Sequence, residues 1–339
     1  MKKSLWLIVL IAVAVLSALP VFAAEKPGMP APIQGAQEVN VAGSWWDGTG
    51  IWTSGFAGQN NYRETKNFVE EQSNRFGSGI SVDKIVSPHV RLGGGFLYYL
   101  ADANYKTSYR YYGSSGTDTN AFRGILTATY DSINLCESRK KGNYSPEAVR
   151  NQGINGWYVD GSVDFTQRNH HYREEWYEAD ETTMWVGKSD YYAQEYNAFV
   201  EAAYIYNFGK ENTFHLTPYT SLEYDFTQTG VMKVKGYDTS DYKLKSEGSN
   251  DLEQGFGAKL AKSLVSKKAG TFIPYVNAEW LVAYLRDWDS HDDQRQGGQF
   301  GAGIIFLSKG RMTVSAGWDM IVRNRELDNT GSWKIRYDV

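Results

Sequence analysis

The feature that most limits what this chain can become is an alternation with a period of two. It recurs in long segments from Ile51 to Val339. Successive side chains of a strand point to opposite faces, so strict alternation marks a strand with two unlike faces. In the last segment Trp333, Ile335, Tyr337 and Val339 fall on one face, and Lys334, Arg336 and Asp338 on the other. Between Met312 and Met320 the apolar residues Met312, Val314, Ala316, Trp318 and Met320 oppose Thr313, Ser315, Gly317 and Asp319. Trp157, Val159, Val163 and Phe165 likewise oppose Asp160, Ser162, Asp164 and Thr166, and Tyr196 to Tyr206 oppose Asn197, Glu201 and Asn207.

Twelve such segments are predicted. They are Ile51–Tyr62, Asn74–Val86, Val90–Ala103, Thr119–Ile133, Asn155–Gln167 and Ala193–Phe208, then Phe214–Thr229, Asp251–Val265, Thr271–Asp287, Gly298–Leu307, Arg311–Arg323 and Asn329–Val339. A soluble sandwich also alternates, with its polar residues outward. Two properties favour a transmembrane barrel instead. These strands are longer than the roughly 5–6 residues usual in soluble sheets and reach the roughly 9–11 that a tilted strand needs to cross a bilayer. The connections also alternate in length. Turns near Ser87–His89, Gly209–Thr213, Ser266–Gly270 and Ser308–Gly310 are short. Arg63–Ser73, Asn104–Asp118, Arg168–Tyr192, Gly230–Asn250 and Trp288–Gly297 read as long polar loops. Short turns at one end and long loops at the other belong to outer-membrane barrels.

The remaining composition agrees. Mean hydropathy is −0.49, too low for a helical membrane bundle but compatible with a barrel, whose alternation hides its apolar face. Tyr (24 residues) and Trp (11) are abundant, as at membrane–water interfaces. Pro is rare at 8 residues, which suits long ladders that need every N–H.

The N-terminus predicts export. Lys2 and Lys3 precede an apolar run from Leu5 to Leu16, and Val21-Phe22-Ala23 offers a cleavage site after Ala23. Residues 1–23 thus read as a signal peptide removed from the mature protein. Residues 24–50 read as a linker, broken by Pro27, Pro30 and Pro32 and able to enter the pore, and residues 51–339 as the barrel. One connection is too long for its end of the barrel: residues 134–154, where Ser145-Pro146-Glu147 could start a short helix. A plain insertion is the simpler reading of it. Cys136 is the sole cysteine and has no partner in the chain. A net charge of −4 argues against nucleic acid as a partner.

The order and spacing of several short runs carry a family resemblance. They are Ile51-Trp52-Thr53-Ser54-Gly55-Phe56 and Gly77-Ser78-Gly79-Ile80-Ser81-Val82-Asp83, then Leu216-Thr217-Pro218-Tyr219 through Tyr224, and Gly255-Phe256-Gly257-Ala258. Ile273-Pro274-Tyr275 with Glu279-Trp280, Phe300-Gly301-Ala302-Gly303, Ala316-Gly317-Trp318-Asp319 and Trp333-Lys334-Ile335-Arg336-Tyr337 complete the series. Over residues 51–339 the chain resembles the translocator domain of bacterial autotransporters. The resemblance implies an all-β fold, a twelve-stranded antiparallel transmembrane barrel in the outer membrane. It implies contact with outer-membrane lipid and lipopolysaccharide, and insertion by the barrel assembly machinery. Trp333, Ile335, Tyr337 and Val339 would form the C-terminal assembly signal. Family members usually end in Phe or Trp, and Val339 departs from that. They also carry a passenger before the barrel, and here the passenger is expected to be absent, since only a short linker separates Ala23 from Ile51.

No cofactor, metal or enzymatic chemistry is expected. Gly93-Gly94-Gly95 lies inside a strand pattern rather than between strand and helix, so it is no phosphate loop. His170-His171 with Glu174-Glu175, and Asp289, His291, Asp292 and Asp293, could ligate metal but read more simply as solvated loop polarity. Asp289-x-His291 supports a second reading, a hydrolase at the loop rim, because omptin proteases use an Asp–His pair there. Omptins have ten strands, and no opposing Asp pair is evident here. A third reading is a soluble periplasmic β-sandwich that binds sugars through Trp and Tyr. The inner face should carry Arg123, Asp131, Asp160, Asp164, Glu201, Glu223, Asp225, Glu279, Asp319, Arg323, Lys334 and Arg336, as a structural charge network in preference to an open polar pore.

Overall fold

The computed structural model describes residues 48–63, 70–106, 112–177, 184–237, 242–244, 246, 248–266, 268–286 and 295–339. The expected signal peptide, most of the linker, and Asp289, His291, Asp292 and Asp293 lie outside these residues. Twelve long strands form the wall: β1 (Thr49–Tyr62), β2 (Glu70–Ser87), β3 (Val90–Lys106), β4 (Tyr112–Asp131), β5 (Gly156–Tyr177) and β6 (Met184–Phe208), followed by β7 (Phe214–Thr229), β8 (Gly248–Lys262), β9 (Gly270–Arg286), β10 (Gln296–Ser308), β11 (Met312–Arg323) and β12 (Glu326–Asp338). Each pairs antiparallel with its neighbours in sequence, and β12 returns to β1 from Gly50↔Asp338 to Tyr62↔Glu326. The sheet is therefore closed, and no strand of the wall is left with an unpaired edge.

Polarity is inverted relative to a soluble fold. Phe96 (76% exposed), Leu126, Phe76 and Phe122 stand on the outer surface, while Asp83, Arg91, Asp164, Glu195, Glu279 and Arg336 are buried inside. A sandwich keeps its apolar face within, so the soluble sugar-binding reading is set aside. At the end that carries both termini, Tyr130 stacks on Trp157 at 4.9 Å and Phe208 on Phe214 at 5.6 Å, with Tyr204, Tyr206 and Tyr337 nearby on the same outer surface. Such a girdle fits the depth where lipid tails meet headgroups. Arg on the lipid face at mid-bilayer costs about 2–4 kcal/mol. Phe96→Arg is expected to destabilise the barrel in vesicles by about that amount, read from urea unfolding, and an unchanged midpoint would count against this face meeting lipid.

All twelve expected strands are present in order, but several extend further at the loop end than expected. Arg168–Tyr192, expected as a loop, is mostly wall: β5 runs 22 residues and β6 runs 25, paired from Gly156↔Ile205 to Tyr177↔Met184. Cross-strand partners sustain the extension. Arg168 Nε lies 2.7 Å from Glu195, and the rings of His170 and Tyr191 stack at 4.6 Å. Both faces are polar there, so apolar alternation gives no signal. Gly230–Asn250 likewise holds two short strands, Met232–Tyr237 and Tyr242–Leu244, paired with each other, and the first also pairs with β6.

Candidate functional site

Residues 132–155, between β4 and β5, are not a plain insertion. They form two short helices, α1 (Leu135–Lys140) and α2 (Pro146–Arg150). Asn134 caps α1 by accepting from the Glu137 N–H at 3.0 Å. Ser145 accepts the Val149 N–H at its carbonyl, 3.0 Å, and Pro146 occupies the first position of α2, where its missing N–H and fixed φ cost nothing. Leu135, Ala148 and Val149 are buried.

The connector lies inside the barrel at the terminal end. Ala148 packs with Ala261, Ile273, Ile305 and Leu307, inner-face residues of β8, β9 and β10. These strands stand four to six places round the wall from β4, so the connector reaches across the lumen. Polar contacts fix it on other sides. Leu135 N–H donates to the Pro88 carbonyl (2.7 Å), Arg91 to the Tyr144 carbonyl (3.1 Å), and Arg139 to the Val339 carbonyl (2.6 Å). Arg150 anchors α2. Its Nε is 3.2 Å from Asp131, its two terminal nitrogens are 2.9 and 3.0 Å from Asp160, and its carbon is 3.5 Å from the centre of the Tyr158 ring. Burial pushes its pKa down, but Asp131 and Asp160 outweigh burial and hold it well above the ordinary value.

Charge pairs run along the inner wall, some beyond the plug and some level with it. Arg123 pairs with Asp164, and Asn197 donates to Glu223 (2.7 Å) and Asp225 (2.9 Å). Arg286 meets Asp251 and Glu253, both at 3.1 Å, and Arg323 meets Glu253 and Glu326. At the seam Arg336 bridges Asp338 (2.7 Å) and Asp83 (2.8 Å), and Lys334 sits 4.0 Å over the Trp52 ring. Glu201 accepts from the Tyr158 hydroxyl at 2.9 Å and Glu279 from Ser221 at 2.7 Å. Asp160, Asp164, Glu223, Glu279 and Arg336 are among the buried charges. Between plug and charge pairs lies a cavity of about 150 Å³ bounded by Tyr158, Glu201, Tyr219, Glu279, Gln299 and Asp319.

The metal candidates separate. His170 and His171 are adjacent in a strand and so face opposite ways. His170 contacts Thr119 at 2.8 Å and His171 contacts Asp190 at 2.7 Å. Among the described residues no three His, Cys, Asp or Glu side chains gather as a metal site. Cys136 is free and exposed. Trp333, Ile335 and Tyr337 point outward from β12, and Val339 N–H donates to the Thr49 carbonyl at 2.8 Å. Arg150, Arg91 and Gln299 are absent from the sequence-based expectations. The signal for Arg150 was local: a Ser-Pro helix start followed by buried Ala148 and Val149.

The autotransporter β-domain family model matches residues 51–325. Solved structures with the same fold include the translocator domain of autotransporter NalP from Neisseria meningitidis, 12% identical, covering 89% of this chain and 91% of that one with a TM-score of 0.59. The β domain of the Bordetella autotransporter BrkA is 13% identical, with 86% and 100% covered and a TM-score of 0.60. The transport unit of AIDA-I from Escherichia coli is 13% identical, with 90% and 93% covered and a TM-score of 0.59. Comparison with curated protein sequences finds no match. With the family model spanning nearly the whole wall and the closed twelve-stranded barrel beneath it, the chain belongs to the autotransporter β-domain family of outer-membrane β-barrels.

Proposed function

We propose that this protein is a non-enzymatic outer-membrane barrel that is shut at its periplasmic end by residues 132–155 and works at its outer rim as a surface-display element. On this reading the chain is exported by a signal peptide cleaved after Ala23 and handed to the barrel assembly machinery through Trp333, Ile335, Tyr337 and Val339. It meets lipid and lipopolysaccharide with its aromatic outer surface. The observation that carries the reading is the connector packed across the lumen, from Asp131 and Asp160 on one side to Ile273 and Ile305 on the other. The tall β5–β6 wall supports it, since those strands exceed what a bilayer crossing requires and raise a rigid platform at the loop end.

Planar-bilayer recording tests this. The intact protein should show no stepwise conductance. A variant with residues 134–154 replaced by a short Gly-containing turn, together with Asp131→Asn and Asp160→Asn to avoid stranded charges, should open discrete steps. Equal conductance in both proteins, open or shut, would remove the plug from the explanation.

A further inference from the structure

The cavity above α2 carries more polarity than packing requires. Glu201, Glu279 and Asp319 face it. Of the cationic groups on its wall, Arg150 is engaged by Asp131 and Asp160, and Lys259 lies 4.2 Å over the Tyr275 ring. Three carboxylates thus line the space against two cationic side chains. Two glycines keep that space clear. A Cβ at Gly255 would stand 1.7 Å from a Glu279 oxygen, and one at Gly301 would stand 2.2 Å from an Asp319 oxygen. Only bare backbone lets those carboxylates lie back against the wall. Independently, Gln299, only 6% exposed, lines the cavity with a side-chain oxygen that has no hydrogen-bond partner among the described residues. A buried acceptor left open in this way points to a missing donor.

We infer that this cavity is a binding site for a short aliphatic diamine. The lining is acceptor-rich, from carboxylates and the buried, unpartnered Gln299 amide oxygen, so the occupant must supply N–H donors and positive charge. Tyr158, whose ring already carries the Arg150 guanidinium, and Tyr219 add aromatic surface against which methylenes can pack. A bare metal ion fits poorly, because no three carboxylate or imidazole side chains among the described residues gather closely enough to ligate one. Charge must instead be delivered along a chain. At about 30 Å³ per water-sized unit, the cavity takes roughly five or six heavy atoms, the size of 1,4-diaminobutane. The site uses α2 as its floor but does not require the barrel to be non-conducting, so binding and conductance fail separately.

The test is calorimetric titration of the full chain, folded in detergent, with 1,4-diaminobutane, 1,4-butanediol and Mg²⁺ in turn. Saturable binding of one diamine per barrel is expected, with no heat from the diol and no displacement by Mg²⁺. Glu279→Gln and Gln299→Leu should each weaken the diamine at least tenfold. Asp319→Asn serves as a third variant, and heat-modifiable migration on gels verifies that each barrel folds. No saturable binding, displacement by Mg²⁺ at equal charge, or unchanged affinity in folded variants would each overturn the site.

Discussion

Arg150→Met should free the connector from the lumen. The guanidinium holds two carboxylates, Asp131 and Asp160, inside the barrel. Removing the cation from a buried cluster leaves uncompensated charge, at a cost of about 3–5 kcal/mol. Met keeps much of the side-chain volume, so the loss is electrostatic rather than a packing defect. Because α2 has only five residues, it has little stability of its own and depends on this anchor. Hydrogen exchange at the Val149 amide, bonded to the Ser145 carbonyl, should accelerate by about a hundredfold or more, as the released free energy appears as local opening. The wall should stay intact, since β4 and β5 remain paired along their length. Unchanged exchange would show that Ala148 and its apolar partners hold the plug unaided. Adding Asp131→Asn and Asp160→Asn to Arg150→Met should recover much of the protection.

Arg336→Met should weaken the whole barrel. Arg336 on β12 reaches over β1 to Asp83 on β2. It can do so only because Gly50 stands between, where a Cβ would lie 1.9 Å from the guanidinium. One side chain thus ties three strands at the seam where the sheet closes. Its loss strands Asp338 and leaves Asp83 with Arg91 (3.0 Å) and Lys334, so the penalty should fall toward the low end of about 3–5 kcal/mol. Urea unfolding in detergent micelles would register it as a fall in the unfolding midpoint. An unshifted midpoint would mean that lumen water already screens the cluster. Gly50→Ala should reproduce the defect by blocking the crossing.

The wall was legible because membrane and lumen impose opposite solvents on alternate residues. Trp333, Ile335 and Tyr337 against Lys334 and Arg336 is that contrast written in sequence. It fails where both faces meet water, and so β5 and β6 outran their expected ends around His170 and Tyr191. The inner-face residues followed from parity, but their pairings did not. Arg336 with Asp83 joins positions far apart in sequence, and only strand register brings them together. The connector escapes the sequence for a different reason. Its residues 134–154 carry no long period, and their burial depends on a cavity that other strands create.

The anchors of the plug are spread unevenly in time as well as space. Leu135 and Arg150 are made early, but Ala261, Ile273, Ile305 and Leu307 belong to the later half of the chain, and the Arg139 contact to Val339 spans 200 residues. A ribbon still open at its edges offers the connector only one wall. Long-range contacts of this kind are the slowest to form, because the intervening chain must first be ordered. The docked connector is therefore a completion signal. Its full set of contacts exists only once β8 to β10 and Val339 are in place, so its retention reports on strands made long after it.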